Sequence, residues 1–232
     1  MTAVSHYPPM YLAGSLLGDF RHVCAFFSSD DDEYRTMLPF MRDGLAAGQR
    51  VVNFMPEERT DHEDRLRAGG IDVEDAREKH QLDVIKSEDA YLVKHGHFDG
   101  DGMLQRVPLM LESGHDFGFS ITRLVAHAEH MMNDPEDADA FIEYEARLNH
   151  VLPKYPDVVV CTYDLNRMGA GVVMDVLRTH PMVIIGGLLQ ENPFFIPPAE
   201  FLREVSERRR QQKDSRKTSR KSRRGNGRGK RH

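Results

Sequence analysis

The stretch DVVVCTY, from Asp157 to Tyr163, is the most strand-like segment of the chain. Three consecutive valines lead into Cys161, and apolar β-branched runs of this kind are typical of the central strands of parallel sheets. Similar short runs lie on both sides of it along the chain. They are Arg21–Phe27, Gln49–Met55, Leu82–Ile85, Phe117–Val125 and Met182–Gly187.

Segments with helical patterning lie between these runs. Ser28-Ser29-Asp30 provides an N-cap, and Asn133-Asp134-Pro135 is a second helix entry. The predicted helices are Asp30–Ala47, Pro56–Ala68, Gly102–Ser113, residues 136–152, Gly171–Thr179 and Glu200–Gln211. Residues 1–17, Lys94–Asp101 and Asn192–Pro198 are predicted to be irregular. The alternation of strands and helices predicts an α/β domain with a mainly parallel sheet and helices on both faces.

Composition excludes several classes of protein. Of the 232 residues, 40% are hydrophobic and 29% charged, which is typical of a water-soluble globular protein. No stretch approaches the roughly 18 to 20 apolar residues that span a bilayer, and Met1 to Gly18 lacks a basic signal-peptide region, so no membrane association and a cytoplasmic location are expected. Cys24 and Cys161 are predicted to be buried, reduced thiols, because no CxxC or HExxH pattern is present, and no metal site is predicted.

The two signs of charge are segregated along the chain. Arg203 to His232 contains 14 Lys and Arg against 3 Asp and Glu, whereas residues 1–202 contain 17 basic and 34 acidic residues. We therefore predict an irregular lead-in over 1–17, an α/β domain over 18–202 and a basic, disordered tail over 203–232, with a closing helix possible up to Gln211. The tail cations with a predicted contact role are Arg208, Arg209, Arg210, Lys213, Arg216, Lys217, Arg220, Lys221, Arg223 and Arg224.

Because no aromatic residue is interleaved with these cations, any contact with nucleic acid would be electrostatic and nonspecific. A solvated extension and docking on an acidic partner, or on the domain itself, are the alternatives for this tail.

The second half of the chain carries a set of recognisable motifs. They are Glu143–Asn149 (EYEARLN), Tyr155-Pro156, Cys161–Asp164 (CTYD), Leu177–Pro181 (LRTHP) and Glu191–Pro193 (ENP), and in the first half His22–Phe27 (HVCAFF) followed by Phe40, Gly44, Leu45, Gly48 and Val51. Together these motifs resemble the MEDS domain, the sensory domain named after methanogens, methylotrophs and the dichloromethane-responsive regulator DcmR. The resemblance covers residues 18–202.

The resemblance implies a RecA-like or KaiC-like three-layer α/β fold. It also implies an input domain of prokaryotic signalling and transcription that responds to small organic molecules. The chain departs from the family in one place: after Arg123 the family has a Gly-Glu-Met-x-Trp-like stretch, whereas this chain has Ala126–His130 and no tryptophan. A different ligand specificity is therefore expected here.

Nucleotide hydrolysis is not expected. A RecA-like ATPase needs a Gly-rich loop that ends in Lys-Ser or Lys-Thr after the first strand, but here Phe27–Glu33 reads FSSDDDE. Four consecutive carboxylates would repel a triphosphate. They indicate a capped helix start, with a divalent metal as the alternative.

Open α/β sheets bind ligands at the carboxyl ends of their strands. That edge should receive Asp164, Asn166 and Arg167 after the strand that ends at Tyr163, together with Arg123 or its neighbours. His127 and His130 have an i, i+3 spacing that in a helix would suit a metal or haem, with Glu129 or His180 nearby; ordinary surface or core histidines are the alternative. The candidate ligand-binding residues are Arg123, His127, His130, Tyr163, Asp164, Asn166, Arg167, His180 and Asn192.

Two hypotheses of function follow. The first is a non-catalytic sensory domain that binds a small molecule and relays this to a signalling or transcription partner. The second is a nucleic-acid-associated regulatory or scaffold protein that acts through its basic tail. The sequence shows no pairing of a nucleophile with a base of the kind that would indicate an enzyme. The cofactor is left open, and a homo-oligomer is expected only by analogy with RecA-like domains.

Overall fold

The segment DVVVCTY forms the central strand of the sheet. In the computed structural model, which describes residues 7, 9–132 and 134–211, this strand is β9, Val158–Asp164. It lies between β3 (His22–Phe27) and β8 (Thr122–His127), and both neighbours are parallel to it and buried along their length. Strands covered on both faces need few polar positions, which explains why these runs are mainly apolar.

The sheet extends on both sides of these three strands. Two more strands lie beyond β8, namely β4 (Arg50–Met55) and β5 (Leu82–Lys86), and two lie beyond β3, namely β10 (Met182–Ile185) and β11 (Leu188–Glu191). The order is β11-β10-β3-β9-β8-β4-β5, and every neighbouring pair is parallel except β10 and β11.

The β10–β11 hairpin was not predicted from the sequence. Gly186 and Gly187 have φ values of 58° and 74°, a conformation that glycine adopts freely, and they reverse the chain at once. The strand predicted over Met182–Gly187 therefore ends at Ile185, and β11 forms one edge of the sheet.

Helices cover both faces of the sheet. They are α1 (Asp30–Ala46), α2 (His62–Ala68), α3 (Val73–Glu78), α4 (Ser87–Ala90), α5 (Gly100–Asp116), α6 (Pro135–Leu148), α7 (Ala170–Thr179) and α8 (residues 198–211). One hydrophobic core joins the sheet to α5, α6, α7 and α8, and a second joins its other face to α1, α2 and α3. The predicted three-layer α/β architecture with a mainly parallel sheet is confirmed.

The predicted irregular lead-in contains a hairpin. Its strands β1 (Met10–Leu12) and β2 (Ser15–Leu17) are joined at Ala13-Gly14, where both φ values are positive. Each strand has three residues, too few for a periodicity to be visible in the sequence. A second small hairpin, β6 (Val93–Lys94) with β7 (His97–Phe98), lies in the predicted loop.

Several element boundaries also differ from the prediction. Helix α2 begins at His62 instead of Pro56, and β8 begins at Thr122 instead of Phe117. Helix α5 continues through Gly114, which was predicted to end it. A Cβ atom at Gly114 would lie 2.5 Å from Thr122 Oγ1, so this glycine permits close contact between helix and strand.

The described part of the basic tail begins as helix. Phe201 and Val205 of α8 are buried against the core, so ordered structure extends beyond residue 202. Residues 212–232, the predicted low-complexity segment, lie outside the described residues. Among the described helices, none combines the length and the apolar character required to traverse a bilayer.

Candidate functional site

The carboxyl ends of β3, β9 and β8 gather the predicted polar residues at one edge of the sheet. His127 ends β8 and Asp164 ends β9. The Asn166 amide donates to the Ser28 carbonyl (2.9 Å) and to Asp164 Oδ1 (2.9 Å), which ties the loop after β9 to the loop after β3. Sequence reasoning placed Asp164, Asn166 and Arg167 here correctly, because parallel neighbouring strands end at the same edge.

His127 is the buried centre of this edge. Its Nε2 lies 2.8 Å from Glu33 Oε1 in the first turn of α1, and its Nδ1 lies 3.9 Å from Glu129 Oε1. Arg59 contacts the same Glu33 carboxylate at 3.0 Å, and Arg167 lies 3.9 Å from Glu129. Two carboxylates and two guanidinium groups therefore surround one imidazole ring.

This environment keeps the His127 ring charged. Burial alone would lower the pKa of His127, but the charges and hydrogen bonds of Glu33 and Glu129 outweigh burial and raise that pKa to about 9. Burial likewise opposes ionisation of Glu33, yet His127 and Arg59 lower the pKa of Glu33 below its ordinary value. The network is a buried pair of fixed opposite charges.

The acidic first turn of α1 is occupied by its own ion pairs. Ser29 caps the helix by accepting from the Asp32 backbone amide, as predicted. The carboxylates that precede Glu33 are paired as well: Asp30 with Arg59 (3.0 Å), Asp31 with Arg65 (2.8 Å) and Asp32 with Arg35 (2.8 Å). The place where a RecA-like ATPase binds phosphate thus holds carboxylates with arginine partners.

A cleft of about 890 Å³ opens at this same edge. Its walls are α1 between Asp32 and Asp43, the β1–β2 hairpin and the β10–β11 turn. Phe26, Phe27, Phe40, Leu165 and Ile185 supply apolar surface, whereas Ser28, Asp32, Arg35, Thr36 and Asp43 supply polar groups. Sequence reasoning missed the contribution of the hairpin, because residues 1–17 gave no strand signal.

Two predicted ligand residues belong to a different, buried site. His180 and Tyr163 lie in the layer between the sheet and α6, with their rings 6.2 Å apart. His22, Glu145 and Cys161 lie beside His180, and one donor atom from each of these four residues lies within 4.8 Å of the others. We refer to His22, Glu145, Cys161 and His180 as the buried quartet.

The contacts within the buried quartet centre on Glu145. Its Oε2 lies 2.9 Å from His22 Nε2 and 3.2 Å from His180 Nε2, and its Oε1 lies 3.6 Å from Cys161 Sγ. Cys161 Sγ lies 3.8 Å from His22 Nε2. All four side chains are no more than 2% exposed. Burial alone would raise the pKa of Glu145, but hydrogen bonds from His180 and His22 outweigh it and lower that pKa to about 2.

The sequence did not reveal this quartet because its members come from four separate elements. His22 begins β3, Glu145 lies on α6, Cys161 lies on β9 and His180 precedes β10. The available signal was that His22, Glu145, Cys161 and His180 each fall in one of the family motifs quoted above.

Two further candidate residues lie away from the carboxyl edge. Arg123 lies near the amino end of β8, where its guanidinium donates to Gln49 Oε1 and to the Phe40 carbonyl, so it anchors α1 instead of facing the carboxyl edge. Asn192 is buried, and its amide donates to the carbonyls of Leu177 and His180. That amide holds the turn after β11 against the end of α7.

The proposed helical pair of His127 and His130 does not form. His127 is the last residue of a strand, whereas His130 follows in a 3-10 helix, Glu129–Met132, so the two do not share a helical face. His180 lies in the buried quartet and not beside His127. The position of the His130 side chain lies outside what the structure describes.

The beginning of the basic tail contacts the domain itself. Arg208 forms two hydrogen bonds with Asp175 (2.9 and 3.1 Å), and Arg209 donates to Glu143 (2.6 Å). Arg210 is exposed. The tail cations outside the described residues are Lys213, Arg216, Lys217, Arg220, Lys221, Arg223 and Arg224.

Two comparisons with known proteins found matches. The family described as "MEDS: MEthanogen/methylotroph, DcmR Sensory domain" matches residues 21–181, which is more than half of the chain. Among solved structures, the chain is similar to a KaiC-like protein of the hyperthermophilic archaeon Pyrococcus horikoshii OT3, with 16% identity, coverage of 71% of this chain and 70% of that chain, and a TM-score of 0.48. No curated protein matches the chain. The chain belongs to the MEDS family of sensory domains.

Proposed function

We propose that this chain is a non-catalytic sensory module that binds a small organic molecule in the cleft at the carboxyl edge of the sheet. The observation that carries the proposal is the cleft itself, with a volume of about 890 Å³ and a lining of aromatic, aliphatic and a few polar side chains. Sites for small molecules have this size and character and lie at this edge in open α/β folds. Membership of a sensory family supports the same function.

The lining favours a mainly apolar ligand with one or two polar groups. Phe26, Phe40, Leu165 and Ile185 offer apolar contact. The polar groups of the cleft are concentrated on α1, where Arg35 already binds Asp32. A strongly anionic ligand such as a triphosphate would meet the carboxylates of Asp32 and Asp43, which disfavour it.

Helix α1 provides the path by which binding is relayed. Asp32, Arg35 and Thr36 line the cleft, and the neighbouring Glu33 joins α1 to His127 on β8 and to Arg59 after β4. A ligand that shifts the first turns of α1 therefore changes the geometry of a buried charge pair on the far side of the helix. We propose that a signalling or transcription partner reads this change.

We also propose that the chain does not catalyse a reaction. The start of α1 has arginine-paired carboxylates where a phosphate would bind, and both cysteine thiols are buried, with their pKa raised by burial. Neither feature supports phosphoryl transfer or thiol chemistry.

A tryptophan reporter tests ligand binding, because the natural chain contains no tryptophan. Leu165→Trp places an indole at the cleft, and Leu109→Trp, at an exposed position of α5, is the matched control. Both full-length variants are titrated with a panel of short alcohols, alkyl halides, ketones and carboxylates, while native mass spectrometry of the unmodified chain identifies any co-purified molecule.

We expect at least one compound to shift the emission of Leu165→Trp and to raise its melting temperature, without effect on the emission of Leu109→Trp. Adding Thr36→Phe to the Leu165→Trp variant fills the cleft and should abolish the response. Equal responses in both reporters, or no response to the panel together with no co-purified molecule, would contradict the proposal.

A further inference from the structure

The buried quartet has a hydrogen-bonding problem that begins at His180. Its Nδ1 lies 2.9 Å from the Val176 carbonyl, which can only accept a hydrogen bond, so Nδ1 carries the proton. In the neutral ring, Nε2 then has a lone pair, and this atom lies 3.2 Å from the Glu145 carboxylate.

The same reasoning applies to His22. The Asn149 amide nitrogen is surrounded by the carbonyls of Glu145 (3.1 Å), Ala146 (3.2 Å) and Thr179 (2.7 Å), so its orientation is fixed. Asn149 Oδ1 therefore faces His22 Nδ1 at 3.0 Å and accepts its proton. Nε2 of neutral His22 is left with a lone pair, which also points at Glu145 Oε2, 2.9 Å away.

When both rings are neutral, two imidazole lone pairs and one carboxylate therefore converge in a dry interior. The Cys161 thiol can supply one proton, but three acceptors facing one another repel unless further positive charge lies between them. We propose that His22, Glu145, Cys161 and His180 together bind one zinc ion. A divalent ion with one thiolate, one carboxylate and two neutral imidazoles has no net charge, which suits a buried position.

The interatomic distances fit a tetrahedral site. With Zn–N distances of about 2.0 Å and a Zn–S distance of about 2.3 Å, neighbouring donor atoms lie roughly 3.2 to 3.8 Å apart. With Glu145 Oε2 as the donor, the contacts of 3.2 Å (His180 to Glu145), 3.7 Å (Cys161 to Glu145) and 3.8 Å (Cys161 to His22) agree with this range, and all the donor atoms lie within 4.8 Å of one another. The His22–Glu145 contact of 2.9 Å is shorter and needs only a small side-chain movement.

The outer contacts are those expected around zinc. Metal-bound histidines donate their second ring N–H to a carbonyl or carboxylate, as His22 does to Asn149 and His180 does to Val176. Imidazole and thiolate ligands select zinc over magnesium or calcium, which prefer oxygen ligands alone. When the metal binds, the Cys161 thiol proton leaves to solvent.

The position of the quartet in the fold gives the bound ion a structural role. The four ligands join α6 to β3, β9 and the start of β10, so the ion would fasten the central strands to the helix layer. With four protein ligands the site is closed, as structural zinc sites are. A cleft of about 150 Å³ at the amino edge is lined by His22 and Asn149 and therefore lies next to the quartet. This site is separate from the proposed ligand cleft.

Cobalt(II) tests the proposal, because it substitutes for zinc and is coloured. The full-length chain, produced without a histidine tag, is treated with a chelator and then titrated with Co²⁺. The matched control is Cys24→Ser, since Cys24 lies opposite Cys161 on the neighbouring strand, is equally buried and is outside the quartet.

We expect one Co²⁺ per chain, with the visible bands of tetrahedral cobalt and a thiolate-to-cobalt band in the near ultraviolet. Cys24→Ser should keep these bands, Cys161→Ser should lose the thiolate band, and His180→Gln should bind Co²⁺ at least about tenfold more weakly. Tetrahedral bands that persist unchanged in Cys161→Ser would overturn the proposal, because surface histidines would then be the ligands.

X-ray absorption of the zinc-loaded natural chain keeps the test independent of how the variants fold. One sulfur and three nitrogen or oxygen ligands are expected. A shell without sulfur, or a chelated chain that binds neither Co²⁺ nor Zn²⁺ while remaining folded by circular dichroism, would show that the quartet is a proton-linked hydrogen-bond cluster instead.

Discussion

Glu33 and His127 form an ion pair that joins α1 to the end of β8, with 2.8 Å between Glu33 Oε1 and His127 Nε2. Both side chains are buried, and Arg59 shares the Glu33 carboxylate. A pair of this kind is costly to break, because removal of one partner leaves the other charge buried and unpaired.

We therefore expect Glu33→Gln to lower the free energy of unfolding by about 3 kcal/mol. Asp31→Asn is the matched control, since Asp31 lies in the same helical turn and also binds an arginine but is exposed, and it should cost less than about 1 kcal/mol. Urea denaturation followed by circular dichroism measures both. Equal losses in the two variants would show that burial of the Glu33 pair has no energetic consequence.

The His127 pKa predicts how stability depends on pH. The folded-state pKa of His127 is about 9, above the ordinary value of 6.5. His127 therefore binds its proton more tightly in the folded chain than in the unfolded chain, which stabilises the fold. This stabilisation is fully present below pH about 6.5 and is lost as the pH rises through about 9. It amounts to about 3 kcal/mol.

The measurement compares unfolding free energies at pH about 6 and about 9.5 in the natural chain and in His127→Gln. We expect the natural chain to lose more stability than the variant over this interval. The pKa of His127 is raised by Glu33 and Glu129, the pKa of His62 is lowered in part by His127, and the pKa of Glu33 is lowered in part by Arg59. All four of these neighbours remain in the variant. Parallel pH profiles for the two proteins would exclude His127 as the titrating group.

Gly44 tests the close contact between α1 and Arg123. A Cβ atom at Gly44 would lie 2.7 Å from the Arg123 side chain, which is held by Gln49 and the Phe40 carbonyl. Gly44→Ala should therefore destabilise the chain by about 1 to 3 kcal/mol, although alanine favours helix. Gly171→Ala is the control, because a Cβ atom at Gly171 in α7 would have nothing within 4 Å. This change should be neutral or should stabilise the chain by up to about 0.5 kcal/mol. A rise in melting temperature for both variants would contradict the close contact between Gly44 and the Arg123 side chain.

Two truncations test where the folded domain ends. A chain that stops after Gln211 keeps Val205 and the Arg208–Asp175 pair, and should unfold at the temperature of the full-length chain. A chain that stops after Leu202 loses the buried Val205 and should be less stable by about 2 kcal/mol. Equal melting temperatures for the two truncations would mean that α8 adds nothing beyond Leu202.

The longer truncation also tests the predicted nucleic-acid contact of the tail. If the cations beyond Gln211 bind nucleic acid, the full-length chain should retard duplex DNA at low salt, independently of sequence, and lose this binding steeply as salt is raised. The chain that stops after Gln211 should not bind. Retardation by both proteins would place the contact on the domain, and retardation by neither would leave the tail a solvated extension or a protein-docking segment.

The sheet was predictable because its strands are buried on both faces. Segments such as DVVVCTY and HVCAFF are mainly apolar because helices cover both sides of the sheet, and this signal is local in sequence. The capped start of α1 was predictable for the same reason, since Ser29 and the acidic residues after it act within one helical turn. The hairpins β1–β2 and β10–β11 were missed because strands of three or four residues carry no period, and their turns depend on positive φ angles.

The sequence by itself determined the α/β class, the family, the acidic first turn that lacks a phosphate loop and the residues that follow β9 at the carboxyl edge. These features depend on neighbours along the chain or on the rule that parallel strands end together. Only the tertiary structure decided that Glu33 is buried against His127, that Arg123 anchors α1, and that His22, Glu145, Cys161 and His180 meet. Those contacts join residues from distant elements, and their distances follow from strand order and helix packing, which no local pattern of residues specifies.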